Sequence, residues 1–95
     1  MAVKIDVQPA GENQFRVRVI QGKSETRHQV TVTPQDYQRL TGGKVDAMQL
    51  VRRSFEFLLE NEPKESILQK FDLALISRYF PEYETEIARR LADRG

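Results

Sequence analysis

The sequence of 95 residues contains no cysteine, no tryptophan and a single histidine. Without cysteine the chain has no disulfides and no thiolate metal ligands, so a reducing cytoplasm is the expected compartment. The one histidine, His28, leaves no second imidazole to complete a zinc site. Ser24 lies near it in sequence but is not surrounded by the glycines of a nucleophile elbow. We therefore expect no metal, no cofactor and no enzymatic activity.

The chain also lacks an excess of charge of one sign and any long apolar run. Lysine and arginine number 15 against 14 acidic residues, a formal net charge of +1, so no long-range field attracts nucleic acid or anionic lipid. No apolar stretch approaches the ~20 residues that span a bilayer. Residues 1–14, MAVKIDVQPAGENQ, carry an acid and amides where a signal peptide needs apolar residues. We expect a cytoplasmic protein with no membrane contact.

What the chain does contain is the composition of a folded domain. Hydrophobic residues make up 39% and charged residues 31% of the sequence, a balance typical of soluble globular proteins. The length is enough for one hydrophobic core and too short for two. The sequence therefore predicts a single domain over residues 1–95.

Apolar and polar residues alternate through the first third of the chain, which is the period of a strand with one buried face. Turn clusters at 9–13 (PAGEN) and 21–25 (QGKSE) separate three such runs. Short loops join antiparallel neighbours. The pattern predicts a three-stranded antiparallel meander within about residues 2–33, with these apolar residues on one face: Val3, Ile5, Val7, Phe15, Val17, Val19, Val30 and Val32.

Helical periodicity follows, over about residues 34–93. Thr33 and Pro34 suit the start of a short helix, and Gly42, which follows Thr41, suits its end. Asp46 suits the N-cap of a central core helix. The apolar stripe of that helix is formed by Met48, Val51, Phe55, Leu58 and Leu59.

Short helices are predicted after the central one. A polar break at 61–66 precedes a helix over ILQKF that begins at Pro63 or Ser66, and Asp72 suits the cap of another. A last helix runs to about Ala92. Strands first and helices after predict an α+β fold with the helices packed on one sheet face.

The stretch FDLALISRYFPEY, residues 71–83, has two interpretations. As a helix-turn-helix it would present ISRY to DNA, but Arg78 is the only cation on that second helix. As a structural element it closes one end of the core. We favour the second interpretation, in which the core is covered by Leu68, Phe71, Leu73, Ile76, Tyr79 and Phe80, with Phe71 and Phe80 as the most buried rings.

The run SFEFLLENEPKESILQKFDLALISRYFPEYETEI, residues 54–87, carries a resemblance. It resembles the C-terminal part of a group of small bacterial proteins of unassigned function, which share a FEFLL helix, a Glu-Pro break, then SIL, FDL and YFPEYE. The resemblance covers the second half of the chain and implies a small bacterial cytoplasmic protein. It implies no activity and no binding residues.

The outer face of the predicted sheet is basic. Strand alternation places Lys4, Arg16, Arg18 and Arg27 together there, with Asp6 as the only acid. Such a face suits phosphates or an acidic partner, although no aromatic ring for base stacking falls on it. Nucleic-acid binding through these four cations is therefore the alternative function. The simpler explanation, which we favour, is a solvated face on which Arg16 or Arg18 pairs with Asp6 across the hairpin.

By subtraction, the leading hypothesis is a non-enzymatic domain that acts through contacts with an unknown protein partner. Core residues are ample, no catalytic constellation is present, and sheet edges are free to pair. An enzyme that depends on a group supplied by its substrate or a metal is a third hypothesis. The last helix has a narrow apolar stripe of Tyr83, Ile87 and Leu91, which can pack on the chain's own core or against a second copy. We also expect weak self-association, because a single three-stranded sheet leaves two edges to cover.

Overall fold

A computed structural model describes residues 3–92 and contains the predicted antiparallel strands. They are β1 (Val3–Pro9), β2 (Gln14–Gln21) and β3 (Ser24–Thr31). Val17 lies opposite Val7 on one side and His28 on the other, so the alternating apolar residues meet on one face. Gly22 in the two-residue turn has φ 62°, the left-handed geometry that suits such hairpins and that glycine adopts without steric cost.

Within residues 3–92 four α-helices follow, and the predicted N-caps of the first two are confirmed. They are α1 (Pro34–Thr41), α2 (Ala47–Asn61), α3 (Ile76–Tyr79) and α4 (Tyr83–Ala92). The Thr33 hydroxyl accepts the Asp36 amide at 3.1 Å, and the Asp46 carboxylate accepts the Gln49 amide at 2.8 Å. α1 ends at Gly42 with φ 65°. Cap chemistry is local, which explains why the sequence indicates it correctly.

The predicted helix over residues 67–71 is wrong, and the sheet has a fourth strand. Only a 3-10 turn, Lys64–Ser66, is helical there, and β4 (Lys70–Asp72) pairs in parallel with β3. The sheet is therefore mixed, in the order β1-β2-β3-β4. β4 covers the free edge of β3 and places Phe71 beside Val30 on the buried face. A strand of three residues is too short to be recognised from the alternation of apolar and polar residues.

The helices pack on one face of the sheet, as predicted, and together they enclose one core. Its largest fully buried side chains include Tyr83, Phe55, Leu50, Leu73 and Ile87. Of the two alternatives for the stripe of the last helix, the structure has the first: the stripe packs on the chain's own core, since its members Tyr83, Ile87 and Leu91 are all buried. That surface is therefore not available for self-association.

Three apolar residues assigned to the core are exposed, and a fourth, Phe80, packs against the core without being fully buried. Met48 is 37% exposed, Leu68 48% and Tyr79 66%, while Phe80 is half-buried. The most buried rings are Tyr83 and Phe55, so the prediction for Phe80 is wrong, although Phe71 is buried. α3 is only four residues long, and Tyr83 and Phe55 fill the interior that Phe80 and Tyr79 were expected to fill.

Candidate interaction groove

The structure places three of the four predicted cations around one depression on the outer face of the sheet. Arg16, Arg18 and Arg27 line one shallow depression of about 280 Å³ together with Asp6 and Gln8. Lys4 does not line it, although the strand register places it opposite Ile20 on the same face. Among residues 3–92 this face carries no aromatic ring on its four strands, as the register shows.

Asp6 is not the only acid on this face, because Glu25 lies there too. Arg18 Nε contacts the Glu25 carboxylate at 3.1 Å and Arg27 Nε contacts it at 2.9 Å. Hydrogen bonds from the two guanidinium groups lower the pKa of Glu25 to about 2. Arg18 Nη1 also contacts Asp6 at 3.2 Å. The sequence assigned Glu25 to a turn, so its place opposite Ile20 in the paired strands was missed.

A second surface feature is an apolar groove between the end of α2, the segment that leads to β4, and α3. Its volume is about 290 Å³. Two polar residues, Glu62 and Ser66, lie at its wall. The apolar lining of this groove is formed by Leu58, Ile67, Leu68, Phe71, Leu75, Ile76, Tyr79 and Phe80.

Two side chains of the groove are unusually exposed for their type. Tyr79 and Leu68 belong to the four large hydrophobic residues that are exposed among residues 3–92; Val3 and Met48 are the others. Single exposed apolar residues are ordinary, but two of them around one apolar concavity are typical of an interaction site. Behind them Phe80 packs edge-on against Phe57, with centroids 5.6 Å apart, so the groove has a firm floor.

Glu62 gives the groove a negative pole. It is the C-cap of α2, where its amide donates to the Leu58 carbonyl at 2.9 Å. Its side chain is half-buried, and desolvation raises the pKa of its carboxyl. Within residues 3–92 it has no ion pair, and the last turn of α2 has no basic residue to offset the helix dipole. A cation from outside would be stabilised here.

His28 supports the groove from behind and has no free ring nitrogen. Its Nδ1 donates to the Leu68 carbonyl at 2.8 Å, so Nε2 accepts from the Thr26 hydroxyl at 2.9 Å. The ring also packs on Phe55, with centroids 5.3 Å apart, and burial lowers the pKa of the imidazole. The contact of His28 with the Leu68 carbonyl holds the backbone of Leu68 in place at the groove.

Lowering the pH is expected to destabilise the protein through His28. Its folded-state pKa is below the 6.5 of a free imidazole, so the unfolded chain binds the proton first. The contribution of His28 to the free energy of unfolding is fully present above about pH 6.5. It falls by up to about 1.4 kcal/mol per pH unit as the pH drops towards the folded-state pKa. Denaturant unfolding between about pH 7.5 and 5 measures this slope.

His28→Gln is the matched control, because glutamine does not titrate. Its stability should be lower throughout but should lack the wild-type slope. The carboxyls of Glu25, Glu60 and Glu86 have lowered pKa values and titrate below this range, and Glu62 titrates in both proteins and cancels in the difference. Equal slopes in the two proteins would contradict the assignment.

Two of the glutamates around Pro63 already have cationic partners. Glu60 makes a bidentate pair with Arg90 at 2.6 and 2.9 Å, and Glu65 pairs with Lys64. Over residues 3–92 no group of three metal-ligating side chains comes together. In the same part of the chain no helix combines the length and the apolar character that a membrane crossing requires.

Comparison with protein-family models found no match, and neither did comparison with curated proteins or with solved structures. The groove was not found by sequence reasoning either. The signal available was the FDLALISRYFPEY stretch, which the sequence analysis interpreted as a core end in preference to a helix-turn-helix.

Proposed function

We propose that this protein is a non-enzymatic interaction domain and that the groove is where it holds a protein partner. The observation that carries the proposal is the pair of exposed side chains, Tyr79 and Leu68, around an apolar concavity. Tyrosine is enriched among the residues that dominate interface energies. That the chain is bacterial and cytoplasmic is part of the same proposal and rests on the resemblance and the composition.

The size of the groove supports a side-chain guest more than a metabolite. Its volume of about 290 Å³ lies at the lower limit of small-molecule pockets, which run from about 300 to 1,000 Å³. Its polar lining is Glu62 and Ser66, which is few groups for orienting a substrate. One or two apolar side chains of a partner would fill it.

Nucleic-acid binding through Lys4, Arg16, Arg18 and Arg27 is less well supported. Arg18 and Arg27 already pair with carboxylates on their own sheet, and phosphate contacts would have to displace them. Bases would find no ring to stack on across this face of residues 3–92. The observations favour the groove over the basic face.

A photo-crosslinking amino acid tests the proposal. With p-benzoylphenylalanine at position 79, irradiation in an extract of the source cells should give discrete crosslinked bands. The matched control carries it at position 48, because Met48 is also an exposed apolar residue but lies at the other end of α2, about 20 Å away along the helix axis. Crosslinks that are equal at both positions, or absent at 79, would refute a partner at the groove.

A further inference from the structure

The chain carries both halves of a contact: the groove and a group that fits it. On α3, Arg78 lies next to Tyr79 in sequence, is exposed, and has no ion pair among residues 3–92. Glu62, at the wall of the groove, is likewise unpaired there. An exposed aromatic ring beside a free cation thus complements an apolar groove beside a free carboxylate.

We propose that the groove binds α3 of a second copy of this chain, in a twofold-symmetric dimer. Tyr79 of each copy enters the groove of the other, and Arg78 of each copy meets Glu62 of the other. The inference rests on the proposed function, because it names the partner that the groove holds. A twofold axis requires one surface to complement itself. Tyr79 and Glu62 line the same groove, and Arg78 is next to Tyr79 in sequence, so one surface carries both the apolar and the charged partners.

The energetics favour this pairing. Each contact occurs twice. The dimer therefore buries two Tyr79 and two Leu68 side chains, and it forms two ion pairs between Arg78 and Glu62. Burial already raises the pKa of Glu62, so part of the desolvation that usually opposes a buried ion pair has been met during folding. The C-terminal pole of α2 adds to the attraction for Arg78.

Sedimentation equilibrium on the purified protein tests self-association directly. We expect a reversible monomer–dimer equilibrium at concentrations up to hundreds of micromolar. Tyr79→Ala should raise the dissociation constant at least ~30-fold, the effect of removing an interface hot spot. Met48→Ala removes another exposed apolar side chain, one outside the groove, and should leave the constant unchanged.

Charge reversal tests the geometry. Glu62→Arg and Arg78→Glu should each weaken the homodimer about tenfold or more, because like charges then face each other at both contacts. An equal mixture of the two variants should form a heterodimer of wild-type affinity. In that mixture the new arginine faces the new glutamate at one contact, and native Arg78 faces native Glu62 at the other. Glu12→Arg, in the exposed β1–β2 turn, is the charge control.

Each outcome decides the question. A strict monomer at hundreds of micromolar overturns the dimer, while the crosslinking at position 79 in cell extract judges the proposed function independently. A dimer that the Tyr79 and charge variants leave intact places the contact elsewhere, as at the open edge of β1, and overturns the proposal. Weakened single variants without recovery in the mixture overturn the pairing of Arg78 with Glu62. Circular dichroism of every variant checks that its fold is retained.

Discussion

Phe55→Ala is expected to lower the free energy of unfolding by about 3–5 kcal/mol. The ring is fully buried, and it lies between His28, with centroids 5.3 Å apart, and Phe71, with centroids 6.1 Å apart. Its removal leaves a cavity that the sheet and α2 cannot close without moving. Because a domain has only about 5–15 kcal/mol of stability, denaturant unfolding should show a large fall in the midpoint.

Phe80→Ala is the matched comparison. This ring is half-buried and lines the groove, so its truncation leaves less unfilled volume and should cost about 1–2 kcal/mol. The two variants remove the same atoms, so the difference between them reports how much more completely Phe55 is packed than Phe80. Equal losses would mean that the floor of the groove belongs to the core, as the sequence had indicated for Phe80.

Ser54→Ala is expected to cost about 1–3 kcal/mol, more than Tyr83→Phe at about 0.5–1.5 kcal/mol. The Ser54 hydroxyl donates to the Leu50 carbonyl at 2.8 Å, so its oxygen is left to accept from the Tyr83 hydroxyl at 2.6 Å. Both residues are fully buried. Removing the serine strands a buried phenol hydroxyl, whereas removing the phenol hydroxyl leaves the bond from Ser54 to Leu50 intact.

The double variant Ser54→Ala, Tyr83→Phe separates this explanation from a general packing loss. With both hydroxyls gone, no buried donor is stranded, so the double variant should be no less stable than Ser54→Ala alone. Thermal and denaturant unfolding of the four proteins give the cycle. Additive losses, or a larger loss for Tyr83→Phe than for Ser54→Ala, would contradict the direction of the hydrogen bond.

The candidate site was less predictable than the fold. The sequence marked residues 71–83 as unusual and favoured a core end over a helix-turn-helix that reads DNA, and the structure buries one part of the stretch and exposes another. Phe71, Leu73, Ile76 and Tyr83 are buried, whereas Tyr79 is mostly exposed. Apolar identity alone cannot separate these cases, because it does not say how much interior other elements have already filled.

The basic face shows the same limit in electrostatics. Alternation placed Arg16, Arg18 and Arg27 on one side of the sheet correctly, yet the start of β3 at Ser24 decides that Glu25 joins them. A strand boundary that differs by two residues therefore changes which charges are neutralised. Strand ends are set by pairing with a neighbour, and pairing is a tertiary property.

The sequence by itself determined the three antiparallel strands, their buried face, the caps at Thr33 and Asp46, and the central helix. These follow from the period of apolar residues and from hydrogen bonds between near neighbours, which need no distant partner. Only the tertiary structure decided that residues 70–72 form a parallel strand and that Tyr79 lies at a groove. Both depend on which distant segments pack against the edge of β3 and the end of α2. That is determined by long-range packing and not by local propensity.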